Sequence, residues 1–340
     1  MGKPLLLGIE IGGTKLQLGL GHGDGRLLSL RRVGVDPARG AAGVLEQVAE
    51  EARKVVWAID ARLERVEAVG VGFGGPVDAA RGVVTTSHQV PGWDGFALAD
   101  WVRRELGAEA VVVQNDADTA GLGEARFGAG VDRSPLVYVT VGSGIGAGLI
   151  LDGRIYRGGG LGAMEIGHLR VGEADPGDRD GLPATLEQVA SGWSIAREAR
   201  RRVAEALRAD PARVGLLADL VSEGPGRPPE PEAITTEVVA MAAELGDAVA
   251  RAILDRAARA LAVALGHVVA LLAPRRIILG GGVSSIGEAL WLAPIRRELD
   301  RRAFPPFRGT FDVVPAALGQ EVVVHGALAL AREAWAARDL

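Results

Sequence analysis

Two copies of one short unit constrain this chain more than any other feature in it. An apolar run, Leu5 to Ile11, reaches Gly12-Gly13 and resumes at Leu16 to Leu20 before the turn Gly23-Asp24-Gly25. The same plan returns as Leu136 to Val141, the glycine-rich stretch Gly142 to Gly148, Leu149 to Leu151 and the turn Asp152-Gly153. Each copy reads as strand, glycine-rich turn, strand. Gly12 and Gly142 lie 130 residues apart, so each copy opens one half of the chain. The repetition predicts two similar domains facing each other across a cleft; the alternative is two unrelated hairpins.

The segments downstream of each copy support an α/β class. Helices are expected over Val44 to Ile59 and Phe96 to Leu106, with strands at Ala68 to Phe73 and Ala110 to Val113 between and after them. The second half is more helical. Patterns run over Leu186 to Leu207 and Thr236 to Ala273, and Asp210 with Pro211 reads as a cap and first turn. Arg275 to Leu279 reads as a strand ending in Gly280-Gly281-Gly282. Gly172 to Ala184 and Ser222 to Ala233, rich in Gly, Pro and acids, read as loops. A chain of 340 residues exceeds the length at which one core usually splits, about 250 to 300.

Composition removes several kinds of chemistry. With no cysteine, disulfides, thiol catalysis, iron-sulfur clusters and thiolate zinc sites are excluded. A net charge of -5 argues against nucleic acid or an anionic membrane as the main partner. The longest apolar run, Leu261 to Ala273, is interrupted by His267 and stops at Pro274, short of the roughly 18 to 20 residues that span a bilayer. The N-terminus matches no secretory pattern, and a cytoplasmic location is expected.

Glycines after a strand turn the backbone tightly and present N–H groups with no side chain in the way, which suits an oxyanion such as phosphate. Gly12-Gly13-Thr14-Lys15 adds a hydroxyl and a cation; Gly280 to Gly282 ends a strand where nucleotides commonly sit. For any one of these the plain alternative is a structural turn. A Walker A pattern is absent, and Gly142-x-Gly144-x-x-Ala147 matches the dinucleotide fingerprint without the amphipathic helix that should come after it. Asn115-Asp116 comes directly after the apolar strand Val111 to Val113, where a carboxylate is costly unless hydrogen-bonded or employed. Capping the next helix would also explain it. Glu165 and His168, three apart, could reach one ligand or form an ordinary polar pair, and Glu187 could be a helix cap.

Together, Gly8-Ile-Glu-Ile-Gly-Gly-Thr-Lys15, Gly72-Phe-Gly-Gly-Pro-Val77, Asn115-Asp116, Gly142-Ser-Gly-Ile-Gly-Ala-Gly148, Glu165-Ile-Gly-His168 and Gly280-Gly-Gly-Val283 resemble the ROK family of repressors, open reading frames and kinases, over nearly the whole chain. The resemblance implies an actin-like ATPase (ribonuclease H-like) fold with two similar domains around a cleft. Their expected extents are 1–117, rejoined by a C-terminal helix 325–340, and 118–324. It implies an ATP-dependent hexose kinase acting with ATP and Mg²⁺ as a homodimer. Gly8, Ile9, Glu10, Ile11, Gly12, Gly13, Thr14 and Lys15 match the first phosphate loop, Gly142, Ser143, Gly144 and Gly146 the second, and Gly281 and Gly282 the adenosine side. Asp116 matches the catalytic base. Gly75, Gln89, Asn115, Asp116, Glu165, His168 and Glu187 match the sugar site, and Glu10 the carboxylate nearest Mg²⁺.

The match has gaps. The family's zinc motif places cysteines where this chain has Asp178, Asp180 and Thr185, so no zinc is expected; Asp178 or Asp180 could hydrogen-bond His168 instead. Glu10 stands where Asp is usual, Met164 where Gly is usual, and Gln89 where Asn often meets the sugar. These departures leave the particular hexose open, and with it a second possibility, a non-catalytic sugar sensor. Family repressors carry a DNA-binding helical segment ahead of the first loop, and here the strand begins at Leu5. A dinucleotide-dependent oxidoreductase would leave Gly12-Gly13-Thr14-Lys15 unexplained.

Overall fold

The computed structural model describes residues 3–61, 63–87, 89–159, 162–174, 181–209, 215–222 and 230–338. The N-terminal part runs through strands β1 (Leu5–Ile11), β2 (Lys15–Gly21) and β3 (Leu27–Gly34), helix α1 (Gly40–Trp57), strand β4 (Val66–Phe73), short strands β5 (Val77–Asp78) and β6 (Val83–Val84), helix α2 (Leu98–Leu106), strand β7 (Ala110–Asn115) and helix α3 (Asp116–Phe127). Next come β8 (Leu136–Val141), β9 (Ile145–Leu151), β10 (Arg154–Ile155), β11 (Arg170–Ala174) and β12 (Pro183–Thr185). The remainder is α4 (Leu186–Ala190), α5 (Gly192–Ala209), α6 (Leu216–Asp219), α7 (Thr236–Glu244), α8 (Ala248–Leu272), β13 (Arg276–Gly280), α9 (Ala293–Arg302), β14 (Asp312–Pro315) and α10 (Val322–Ala337).

The duplicated hairpins each open a five-stranded sheet, and the sheets share one order: β3-β2-β1-β4-β7 and β10-β9-β8-β13-β14. In both, a hairpin lies beside strands that return in parallel, as β4 and β7 do in the first and β14 on β13 in the second. Contacts divide the chain into two compact units, Met1–Tyr138 with Ala147–Met164 and Ala316–Leu340, and Val139–Gly146 with Glu165–Pro315.

In the first sheet, side chains alternate between two buried faces, as the period of 2 requires. Leu7, Ile9, Ile11, Val69, Val71 and Phe73 join Val44, Val48 and Ala52 of α1 and Leu98 and Val102 of α2 in one core. Leu6 and Ala68 face the other way, onto Val324, Leu328 and Ala331 of α10. Two glycines permit that approach: a Cβ at Gly70 would collide with the Ala327 carbonyl, and one at Gly326 with the Thr119 carbonyl of α3.

In the second unit the single pattern expected over 236–273 is two helices, because Gly246 takes φ +100° and Asp247 caps α8, accepting the Val249 and Ala250 N–H groups at 2.8 and 2.9 Å. The helix expected over 186–207 likewise breaks at Ser191, whose ψ is 157°. The cap expected at Asp210 lies outside the described residues. Of the loop expected over 172–184, the ends belong to β11 and β12. Among the described residues no helix is long and apolar enough to cross a membrane.

Candidate active site

Parallel pairing sets β1, β4 and β7 level, with Ile11, Phe73 and Asn115 in register. Gly12, Gly74 and Asp116 therefore emerge side by side at the carboxyl ends of the strands, where α/β sheets bind ligands. The Gly74 N–H donates to the Ile11 carbonyl at 2.8 Å, closing the row. Asn115 caps α3: its Oδ1 accepts from Ala117 and Asp118 N–H at 2.9 and 3.2 Å, and its Nδ2 donates to the Gly75 carbonyl at 3.2 Å. The capping role that sequence alone offers Asp116 thus falls to its neighbour.

Asp116 is partly exposed in the first turn of α3. Its Oδ1 accepts the Ala117 N–H at 2.8 Å, while Oδ2 faces Gly74, where an added Cβ would stand 3.4 Å away. Burial pushes this carboxyl up to about 7; the Glu10 charge adds to the rise, and the backbone N–H groups and Lys15 oppose it.

Glu10 is 7% exposed and belongs to a polar row, Arg32, Gln17 and Glu10, cross-strand neighbours on β3, β2 and β1. Arg32 Nε donates to Gln17 Oε1 at 2.7 Å, and Gln17 Nε2 donates both to Glu10 Oε2 and to the Gln320 carbonyl. Lys15 Nζ pairs with Glu10 Oε1 at 2.9 Å and reaches the Gln320 carbonyl at 3.4 Å. Burial still holds the Glu10 carboxyl above its usual range, with Lys15 and Gln17 opposing. Gly8, Ile9 and Ile11 support the turn from within β1: both isoleucines are core, and Gly8 lies against the Val324 backbone of α10.

The turn itself is short. The Gly12 N–H donates to the Lys15 carbonyl at 2.9 Å, and among the described residues the Gly13 and Thr14 N–H groups have no protein acceptor. Gln89 lies over Gly13, so closely that a Cβ there would strike its amide. Gly75, Gln89, Asn115, Asp116 and the Gly12–Lys15 turn are thus gathered in one unit.

The turn after β8 repeats the device. The Gly142 N–H donates to the Gly144 carbonyl at 2.9 Å, its carbonyl accepts the Gly192 N–H at the start of α5 at 2.8 Å, and the Ser143 and Gly144 N–H groups have no protein acceptor among the described residues. Glu187 stands behind this turn, its Oε2 accepting the Ile145 N–H at 2.8 Å. Gly281, at φ +84°, comes directly after β13 and lies so close to Val141 that a Cβ would strike its carbonyl, and Gly282 opens the next short turn.

Glu165 and His168 are exposed, on a short 3₁₀ turn that packs against α4. The Leu186 N–H donates to the Leu169 carbonyl at 2.8 Å and Arg170 pairs with Thr185, which brings the residues after His168 against those before Glu187. Thr185, at a cysteine position of the family's zinc motif, instead forms a capping box with Gln188. Asp178 and Asp180 lie outside the described residues.

The free amides and the cation of Lys15 suit a polyphosphate. Mg²⁺ fits less well as a protein-held ion: each Glu10 oxygen already has a protein donor, and among the described residues no three His, Asp or Glu side chains group as metal ligands.

Sequence reading missed Gln17, Arg32, Gln320 and Ile145. The first two needed the cross-strand register, the third the return of the C-terminus, and Ile145 acts through its backbone alone. The Thr185–Gln188 capping box was legible as Thr-x-x-Gln.

The sequence model of the ROK family matches residues 6–334. A glucokinase of Thermotoga maritima is 32% identical, covering 98% of this chain and 99% of the relative. A ROK family glucokinase of Streptomyces griseus, solved with glucose and AMPPNP, superposes with a TM-score of 0.80 at 33% identity, over 97% of this chain and 99% of that one. A ROK hexokinase of Thermus thermophilus gives 0.76 at 28% identity, over 99% and 100%.

Proposed function

The chain belongs to the ROK family and has its actin-like ATPase fold in two α/β domains, and from that premise we propose that it is an ATP-dependent hexose kinase transferring the γ-phosphate to the 6-hydroxyl of glucose or a close relative. The observation that carries the reading is Asp116: a carboxyl pushed up to about 7, with one oxygen held by the Ala117 N–H and the other facing the glycine row at the strand ends.

A sugar hydroxyl is a poor nucleophile at neutral pH, and a base whose pKa lies near the working pH removes its proton most effectively. Asp116 Oδ2 takes that proton as the hydroxyl oxygen bonds to the terminal phosphorus and the bond to the β-phosphate oxygen breaks. The remaining demand is positioning and charge stabilisation. The free amides of Gly13, Thr14, Ser143 and Gly144 and the Lys15 ammonium supply it. A Mg²⁺ carried in with the triphosphate would neutralise phosphate charge, with Glu10 the nearest carboxylate of this chain to it. Asn115, which spends one amide hydrogen on Gly75, orients the hexose with its second; Gly75, Gln89, Glu165, His168 and Glu187 complete the sugar contacts. The reading carries with it a cytoplasmic homodimer and no nucleic-acid or membrane partner.

The engagement of Lys15 by Glu10 favours one other reading, a sugar sensor without turnover. A coupled assay with ATP and a panel of glucose, mannose, fructose and the N-acetylhexosamines separates the two. The kinase reading expects turnover on one or more of them. Sugar binding by calorimetry without turnover on any would contradict it.

A further inference from the structure

Glu187 bears on the second turn more directly than a sugar contact needs to. It is the second residue of α4, an element fixed by the Thr185–Gln188 capping box and by the Leu186 N–H bond to Leu169. From there one carboxylate oxygen, Oε2, accepts the Ile145 N–H at 2.8 Å, and the same oxygen stands 2.5 Å from where a Cβ on Gly144 would be. Oε1 has no donor among the described residues. The Ile145 amide is therefore spent on the protein, and Gly144 has no room for a side chain on that side. With the Gly142 N–H closing onto Gly144 and the Gly142 carbonyl onto Gly192, the turn is held at three points while its two free amides lie between them.

We propose that Glu187 is a positioning residue for the nucleotide: its Oε2 fixes the Gly142–Gly146 turn in the shape that presents the Ser143 and Gly144 amides to a phosphate, leaving Oε1 to the acceptor. This rests on the kinase reading. A charge-assisted hydrogen bond to a backbone N–H is among the stronger ones, and a fixed set of amides binds an anion without the entropy cost of ordering the turn. A residue that only touched sugar would not influence nucleotide binding when sugar is absent.

The test is calorimetric titration of the full chain with Mg-AMPPNP in the absence of any sugar. Glu187→Ala should weaken binding by about tenfold, the scale of one lost charge-assisted bond. Glu187→Gln, whose amide oxygen can still accept the Ile145 N–H, should stay within about threefold of the parent. Gly144→Ala should also weaken binding, but much less in a Glu187→Ala background, where the collision with Oε2 is gone; that double-mutant cycle also decides the matter if Glu187→Ala alone is unstable. Parent-like AMPPNP binding by Glu187→Ala, or an equal Gly144→Ala loss in both backgrounds, overturns the proposal. A parent chain that does not bind AMPPNP instead removes the kinase reading on which it stands.

Discussion

The turn after β1 and the turn after β8 each place three residues between their strands, Gly12 to Thr14 and Gly142 to Gly144, and have quite different surroundings. In each, the first glycine N–H closes the turn and the next two amides are left without protein acceptors among the described residues. The first turn is bordered by a charged and polar row: buried Glu10 and Gln17, half-buried Lys15 and exposed Arg32 are connected, and the row also reaches Gln320. The second has no cation among its hydrogen-bonding partners in the described residues and one carboxylate, Glu187, bonded to its backbone. The same anion-receptive geometry can thus be held by an ion-pair network or by backbone bonds. The first arrangement makes the chemistry near it sensitive to charge, and the second makes it sensitive to shape.

The largest expected contrast comes from removing charge. Lys15→Met takes away a cation placed for transition-state charge and leaves Glu10 buried without its partner, and kcat should fall by roughly 10²-fold. Ser143→Ala, at an exposed position of the second turn, should change kcat by less than about threefold, since it keeps both free amides. Comparable losses from the two would erase the proposed difference.

A smaller effect sharpens the electrostatic half. The charge of Glu10 helps raise the Asp116 carboxyl, so Glu10→Gln should lower it and move the acidic limb of the kcat/KM profile, expected near pH 7, toward lower pH. Lys15→Met should move it the other way. An unmoved limb in both variants would separate Glu10 from the base.

The smallest effect is on stability. Asp116 holds its proton more tightly in the folded chain, about 7, than the ordinary carboxyl near 4 of the unfolded chain. Between those values the folded state binds more protons, so its stability falls as pH rises through that window. Asp116→Asn removes the penalty. Its Tm relative to the parent should be little changed at pH 4 and raised at pH 8, by a few degrees at most for a partly exposed group.

Much of this was legible in the sequence. The two hairpins, the strand before Asn115-Asp116 and the three glycine clusters are local signals, since apolar runs and glycines need no partner to be read. The duplicated sheet order grew out of them. Illegible was whatever depends on register or on distant chain: that Glu10 faces Gln17 and Arg32, that Gln320 returns to Lys15, and that Glu187 bonds Ile145 across 42 residues. The helix expected over 236–273 was overdrawn because its apolar pattern continues past Gly246-Asp247, whose turn and cap signals were outweighed by the run around them.

The most direct test is single-turnover phosphoryl transfer from ATP to glucose, or to whichever hexose the panel selects, by Asp116→Asn, with sugar binding measured alongside. If Asp116 is the base, transfer falls by roughly 10²-fold to 10⁴-fold while the sugar Kd stays near that of the parent. Transfer at close to the parent rate would contradict the assignment of this residue and the mechanism built on it.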